Sequence, residues 1–101
     1  MKFSIELKKE TPLNFLRRCG YAPEGQDQKT GEFRFSRPLR GARYPRFHLY
    51  VNALVHSQTI TLSLHLDQKQ PSYQGSSAHS GEYDGALVEA ETKRILSATF
   101  Q

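Results

Sequence analysis

Residues 32–67 read EFRFSRPLRGARYPRFHLYVNALVHSQTITLSLHLD, and their alternation of apolar and polar side chains decides the fold. Apolar residues fall at Phe33 and Phe35, then at Phe47, Leu49, Val51 and Ala53, then at Ile60, Leu62, Leu64 and Leu66. A period of two sends one set of side chains to a buried face and the other set to the opposite face. The spacing therefore predicts strands over Glu32–Arg37, Arg46–Leu54 and Thr59–Asp67. Pro38, Gly41 and Pro45 separate the first two segments and His56-Ser57-Gln58 the next two, which predicts a meander of hairpins.

Working outward, residues 2–7 alternate in the same way, with Phe3, Ile5 and Leu7 on one face. A helix start follows: Thr11 suits the N-cap, Pro12 the first helical position, and Leu13, Phe15, Leu16 and Cys19 supply an apolar side before Gly20 offers a left-handed stop. Residues 22–31, with Pro23, Gly25 and Gly31 among polar side chains, read as a loop. Beyond the third strand, residues 68–84 form a long polar loop, and Asp84 is the expected N-cap of a closing helix over about residues 85–99, with Val88, Thr92, Ile95 and Leu96 toward one side. The predicted order is β-α-β-β-β-α. This is an α+β two-layer sandwich, a mostly antiparallel four-stranded sheet with both helices on one face. Side chains opposite the helices then share an open polar face: Ser4, Glu6, Arg34, Ser36, His48, Tyr50, Asn52, Thr61, Ser63, His65 and Asp67.

A chain of 101 residues is most economically one domain spanning 1–101. Five tyrosines and six phenylalanines supply enough bulk for an interior, which argues against global disorder. Cys19 is the only cysteine, so neither an intrachain disulfide nor a thiolate-cluster metal site can form. The opening MKFSIELKKE alternates apolar and charged residues and has no unbroken apolar stretch of the secretory kind, and no run approaches the length of a membrane span. These features read as a cytoplasmic protein with no membrane partner. The net charge of +4 favours acidic partners such as nucleic acid, nucleotides or anionic metabolites.

Two constellations carry chemistry. Arg34, Arg37, Arg40, Arg43 and Arg46 recur at every third position with no acidic residue between them. Guanidinium forks match phosphate oxygens, so a hairpin bearing all five would grip RNA or another polyanion, reinforced by Lys8, Lys9, Arg17 and Arg18, with Tyr21, Tyr44, Tyr50 and Tyr73 as stacking platforms. Against that, a period of three belongs to neither strand nor helix, so the side chains need not converge. From residue 12 onward the order helix, three strands, helix is similar to a double-stranded RNA-binding domain. Glu82, Asp84, Glu89 and Glu91 stand where that family wants lysines, and no residue roles carry over.

The second constellation is His65 and Asp67 on one strand face, with His79 and Glu82 in the loop beyond. Folded back, they would complete a nitrogen and oxygen donor set for zinc, manganese or iron, able to activate water for hydrolysis. No dedicated metalloprotease spacing is present, and Gly75-Ser76-Ser77 lacks the lysine of a phosphate-binding loop. The stretch HLDQKQPSYQGSSAHSGEYDG (residues 65–85), together with FSIELKKETPLNFLRRCGY (residues 3–21), resembles a group of small uncharacterised bacterial proteins. That resemblance implies no activity. Three functions follow from the residues: a binding module for RNA or another polyanion through the arginine hairpin, a small metal-dependent hydrolase at His65, Asp67, His79 and Glu82, and a protein-interaction or homo-oligomerisation domain using the open face.

Overall fold

The computed structural model of the chain describes residues 1–52, 59–68, 81–82 (backbone only) and 85–100. In chain order its elements are β1 (Lys2–Glu6), α1 (Pro12–Arg18), β2 (Ala22–Gln26), β3 (Phe33–Pro38), β4 (Arg46–Val51), β5 (Thr59–Asp67), β6 (Gly81–Glu82) and α2 (Ala86–Ala98). The strands form one antiparallel sheet in the order β1-β5-β4-β3-β2, with β6 also paired to β5 beside Leu66 and Asp67. β2 to β5 are thus a meander of consecutive neighbours. β1 closes the opposite edge, and α1 carries the chain from one edge to the other.

The α+β class and the sheet with its helices are as the alternation predicts, with one full strand more than the expected four. The addition is β2, in residues expected to form a loop. All five of its residues are exposed. An edge strand wet on both faces has no apolar alternation, and Pro23 and Gly25 argue locally against a strand although both are tolerated at a bulged edge. This strand also separates the fold further from the double-stranded RNA-binding order, since four strands precede the short β6 between the two helices.

One core joins the layers. Phe35, Leu49, Val51, Ile60, Leu62, Leu64 and Leu66 point from the sheet onto Phe15 and Leu16 of α1 and onto Val88 and Ile95 of α2. The first helix starts and stops as its residues dictate. Thr11 accepts the Asn14 backbone N–H at 3.2 Å, and Pro12 occupies the first turn. At the other end Gly20 adopts φ +97°, the Tyr21 N–H returns to the Leu16 carbonyl and the Gly20 N–H to the Arg17 carbonyl. This is a Schellman stop, which needs a residue at ease with positive φ.

α2 departs from expectation at its start. Gly85, with no side-chain cap, holds the N-cap position, while Asp84 lies outside the described residues. Its buried side is Val88, Glu91, Thr92 and Ile95, and Leu96 is left 37% exposed. One residue turns a helix by about 100°, so Leu96 follows Ile95 off the inner stripe, and the stripe instead admits a carboxylate.

That carboxylate is held by three elements. Glu91 accepts from Arg37 Nε and Nη2 at 3.1 Å each, from Arg94 Nε at 2.7 Å and Nη2 at 2.8 Å, and from the Tyr21 hydroxyl at 2.7 Å. Arg94 also reaches the Cys19 carbonyl at 2.7 Å. Burial works against the Glu91 charge, but the hydrogen bonds from Arg94, Arg37 and Tyr21 outweigh it and hold its pKa at about 2. Burial, then the adjacent Glu91 charge, holds the Tyr21 phenol well above its ordinary value, so it stays a donor.

Replacing Glu91 with Gln leaves Arg37 and Arg94 facing an uncharged group and is expected to lower stability by about 3 kcal/mol near neutral pH. Because the folded pKa of about 2 lies below the ordinary 4.5, this contribution is complete above the ordinary value and is lost as pH falls through the folded one. Urea unfolding of wild type and Glu91→Gln checks both points. The gap in stability should be wide at neutral pH and narrow in strong acid.

Candidate metal centre on the open sheet face

The alternation that buries Leu49, Leu64 and Leu66 sends His48, His65 and Asp67 to the opposite face. Register then makes them neighbours. On that face the pairings run Ser36↔His48 and His48↔His65 in one row, Arg46↔Asp67 in the row on one side, and Arg34↔Tyr50 and Tyr50↔Ser63 in the row on the other.

Asp67 lies between the two imidazoles. Its Oδ2 meets His48 Nδ1, and its Oδ1 lies 3.3 Å from His65 Nε2. The two rings are 5.2 Å apart between centroids, and Tyr50 stacks on His65 at 5.5 Å with 18° between planes. Glu24 closes the arrangement from β2. Its Oε1 lies 3.1 Å from His48 Nε2, and its Oε2 accepts from Ser36 Oγ and from Arg46 Nη1, both at 2.8 Å. Glu24 reaches this far because the β2–β3 register shifts between Pro23 and Gly25, making it the extra residue of a bulge. Bulges re-aim a side chain in this way.

The local electrostatics favour a charged Glu24 and a neutral His65. Burial opposes charge on Glu24, yet the Ser36 hydrogen bond, the Arg46 guanidinium and His48 together hold its pKa below the usual carboxylate value. Burial lowers the pKa of His65; Asp67 opposes this, while His48 and Arg46 add to it, so the neutral ring is favoured. His48 is flanked by a carboxylate at each nitrogen. A neutral imidazole has one N–H, so a His48 ring that gives its proton to one carboxylate keeps a lone pair on the other nitrogen. The ligand atoms of His48, His65 and Asp67 all lie within 4.8 Å of one another. Bonds of about 2.0–2.2 Å around one ion bring donors to roughly 3.3 Å from each other, so a bound ion would draw the three side chains closer together.

Of the residues singled out from sequence, His65 and Asp67 are brought together. His79 lies outside the described residues. Only the backbone of Glu82 is described, opposite Leu66 in β6. Among the described residues, His48 is the third potential donor beside His65 and Asp67. It stood on the expected open face, and only the register across β4 and β5 puts it opposite His65. Glu24 had no signal, since its strand looked like a loop.

The five arginines are divided. Arg34 and Arg46 belong to the open face, and Arg46 is committed to Glu24 and lies over the Tyr44 ring at 4.9 Å. Arg37 turns to the helix layer, with Glu91. Arg40 and Arg43 stand exposed on the β3–β4 connection, Arg43 over Tyr44 at 5.8 Å. Arg18 pairs with Glu10. Tyr21, expected as a stacking platform, is buried in the core with its hydroxyl on Glu91, and Tyr73 is outside the described residues. A cleft of about 800 Å³ lies elsewhere, lined by residues that include Lys8, Lys9, Arg18, Leu96 and Phe100. Cys19 is buried, and burial raises its thiol pKa, which makes it an inert core residue.

No described helix is long and apolar enough to cross a membrane. No protein-family model matches the chain, and it has no match among curated proteins or among solved structures.

The Glu24 carboxylate is the hydrogen-bonded partner of a largely buried guanidinium, so Glu24→Gln is expected to cost about 1–3 kcal/mol through the charge left on Arg46. Urea denaturation of the variant at neutral pH measures it.

Proposed function

We propose that the chain is a small metal-dependent hydrolase whose centre is His48, His65 and Asp67, with Glu24 orienting His48. The observation that supports this most directly is the arrangement of His48, with Nε2 on Glu24 and Nδ1 on the donor cluster. Metal-ligating histidines characteristically give their second ring nitrogen to a carboxylate, which fixes ring and tautomer. Two imidazoles and one carboxylate suit zinc, manganese or iron. A bound ion of this kind lowers the pKa of a coordinated water and makes a nucleophile near neutral pH. Hydrolysis is favoured among metal chemistries because it needs no co-reactant besides water. The chain's own contribution is a rigid frame: the donors come from central strands, Ser36 and Arg46 hold Glu24, and Tyr50 covers one face of His65.

Purified protein dialysed against zinc, manganese or ferrous iron, followed by elemental analysis, is expected to retain one equivalent of one of them. His48→Ala and His65→Ala should abolish that stoichiometric binding, and Glu24→Gln should weaken it by about 10–100-fold. Retention of no metal by wild type, or unchanged retention by both histidine variants, rejects the proposal.

A second function, binding of RNA or another polyanion, is favoured by one specific observation. Arg40 and Arg43 are exposed on the same connection, and neither forms an ion pair with a described residue. Binding of this kind weakens steeply with salt through counterion release. Titration with single- and double-stranded RNA at low and moderate salt should show that dependence, and Arg40→Glu with Arg43→Glu should remove the binding. Unchanged affinity in the double variant rejects it.

A further inference from the structure

The two edges of the sheet are built differently. At one edge β2 carries Pro23, Gly25 and the bulge between them, devices that keep a strand edge from pairing with another chain. At the other, β1 pairs with β5 in unbroken register from Lys2↔Ser63 to Glu6↔Thr59, with no proline, glycine or bulge. Its outer backbone groups can be assigned. Met1 and Leu64 exchange both backbone bonds, each at 2.8 Å, so theirs is a hydrogen-bonded pair. Such pairs alternate with non-bonded ones along an antiparallel ladder. The N–H and C=O of Phe3 and Ile5 therefore turn toward β5, and those of Lys2, Ser4 and Glu6 turn outward. No described strand or loop supplies a partner to these outward groups.

This outward edge is complementary to itself. When two β1 strands pair antiparallel about Ser4, Lys2 stands opposite Glu6 of the second copy, Glu6 stands opposite Lys2, and Ser4 meets its counterpart on the two-fold axis. Every outward backbone group is then paired, and each ammonium group lies across from a carboxylate, which stabilises a strand pair. Lys2 and Glu6 are exposed, and neither forms an ion pair with a described residue. Displacing the strands by two residues puts Ser4 opposite Lys2 or Glu6 and breaks the charge pairing, and a further displacement brings like charges together. The helix layer agrees with the same register. Phe3, half-buried against the core, falls opposite Ile5 of the second copy. Leu96 and Phe100, 37% and 89% exposed, line one cleft with Ser4, Ile5, Glu6 and Leu7 of β1 and the turn after it.

We infer that β1 is the interface of a two-fold symmetric dimer, in which it pairs antiparallel about Ser4 with β1 of a second copy and one sheet runs through both. Lys2 and Glu6 close the two ends of the pairing, and the second copy covers the exposed apolar side chains beside the edge. The contact is isologous, so it closes at two copies instead of growing into a fibre. Opposed residues of paired strands point to the same face. The helices of both copies therefore share one side of the joined sheet, and both clusters of His48, His65 and Asp67 open on the other. This inference does not depend on the hydrolase proposal, since β1 contributes no donor to that centre.

Sedimentation velocity of the full chain, from low to high micromolar concentration, is expected to show a concentration-dependent dimer. Lys2→Glu and Glu6→Lys each set like charges against one another at both ends of the pairing and should weaken the dimer by at least about tenfold. An equimolar mixture of these two variants places carboxylates on one copy opposite ammonium groups on the other, and should recover the wild-type affinity as a heterodimer. Ser4→Pro removes an outward N–H that holds no bond within the chain, and proline is tolerated at such an edge position. That variant should be monomeric with the circular dichroism spectrum of the wild type. A wild-type chain that stays monomeric throughout overturns the inference. So does a dimer equally tight in Lys2→Glu and Ser4→Pro, which lies on another surface, or a mixture of the charge variants that fails to recover association.

Discussion

The register between β4 and β5 is the constraint on which both layers depend. Leu49 lies opposite Leu64 and Phe47 opposite Leu66, and all four turn to the helices. The same pairing sets His48 against His65 and Arg46 against Asp67 on the other side. A slip of one residue on either strand would send leucines into water and histidines into the core, and the cost of exposing several large apolar side chains forbids it. The polar centre therefore inherits its precision from the hydrophobic side of the sheet. Its side chains need no interaction energy of their own to be brought together.

A second restraint fixes the helices. Glu91 is a buried carboxylate that ties α2 to β3 through Arg37 and to the turn after α1 through Tyr21 and the Arg94–Cys19 contact. Hydrophobic contact alone is non-directional and would let α2 rotate or slide on the sheet. A charge that needs several directed donors at once specifies one docking, and removing any donor leaves part of that charge uncompensated. Helix packing and the open face are thus held by different physics, apolar burial between layers with one ionic lock inside, and a hydrogen-bonded polar network outside.

Much of this was legible along the chain, and the exceptions have definite causes. Strong alternation marked β1, β3, β4 and β5, and the Thr11-Pro12 start and Gly20 stop marked α1. β2 escaped because an exposed edge strand carries no apolar period and because Pro23 and Gly25 read as loop residues. Glu91 was not legible as a buried group, since a carboxylate on the inner stripe is recognisable only once Arg37 arrives from 54 positions away in sequence. The run of five arginines looked like one surface because sequence spacing ignores side: within β3, Arg34 and Arg37 are an odd number of residues apart and project to opposite faces.

The sequence by itself determined the fold class, the faces of the strands and the first helix, because period and capping are local properties read from neighbours a few residues apart. It also marked His65 and Asp67 as sharing one face. Only the tertiary structure decided that His48 stands opposite His65, that a bulge delivers Glu24 to its second nitrogen, and that Glu91 is buried between two arginines. Those outcomes depend on register across strands and on edge pairing. Both are set by the simultaneous burial of the whole apolar face, a global sum to which no single stretch of the chain holds the answer.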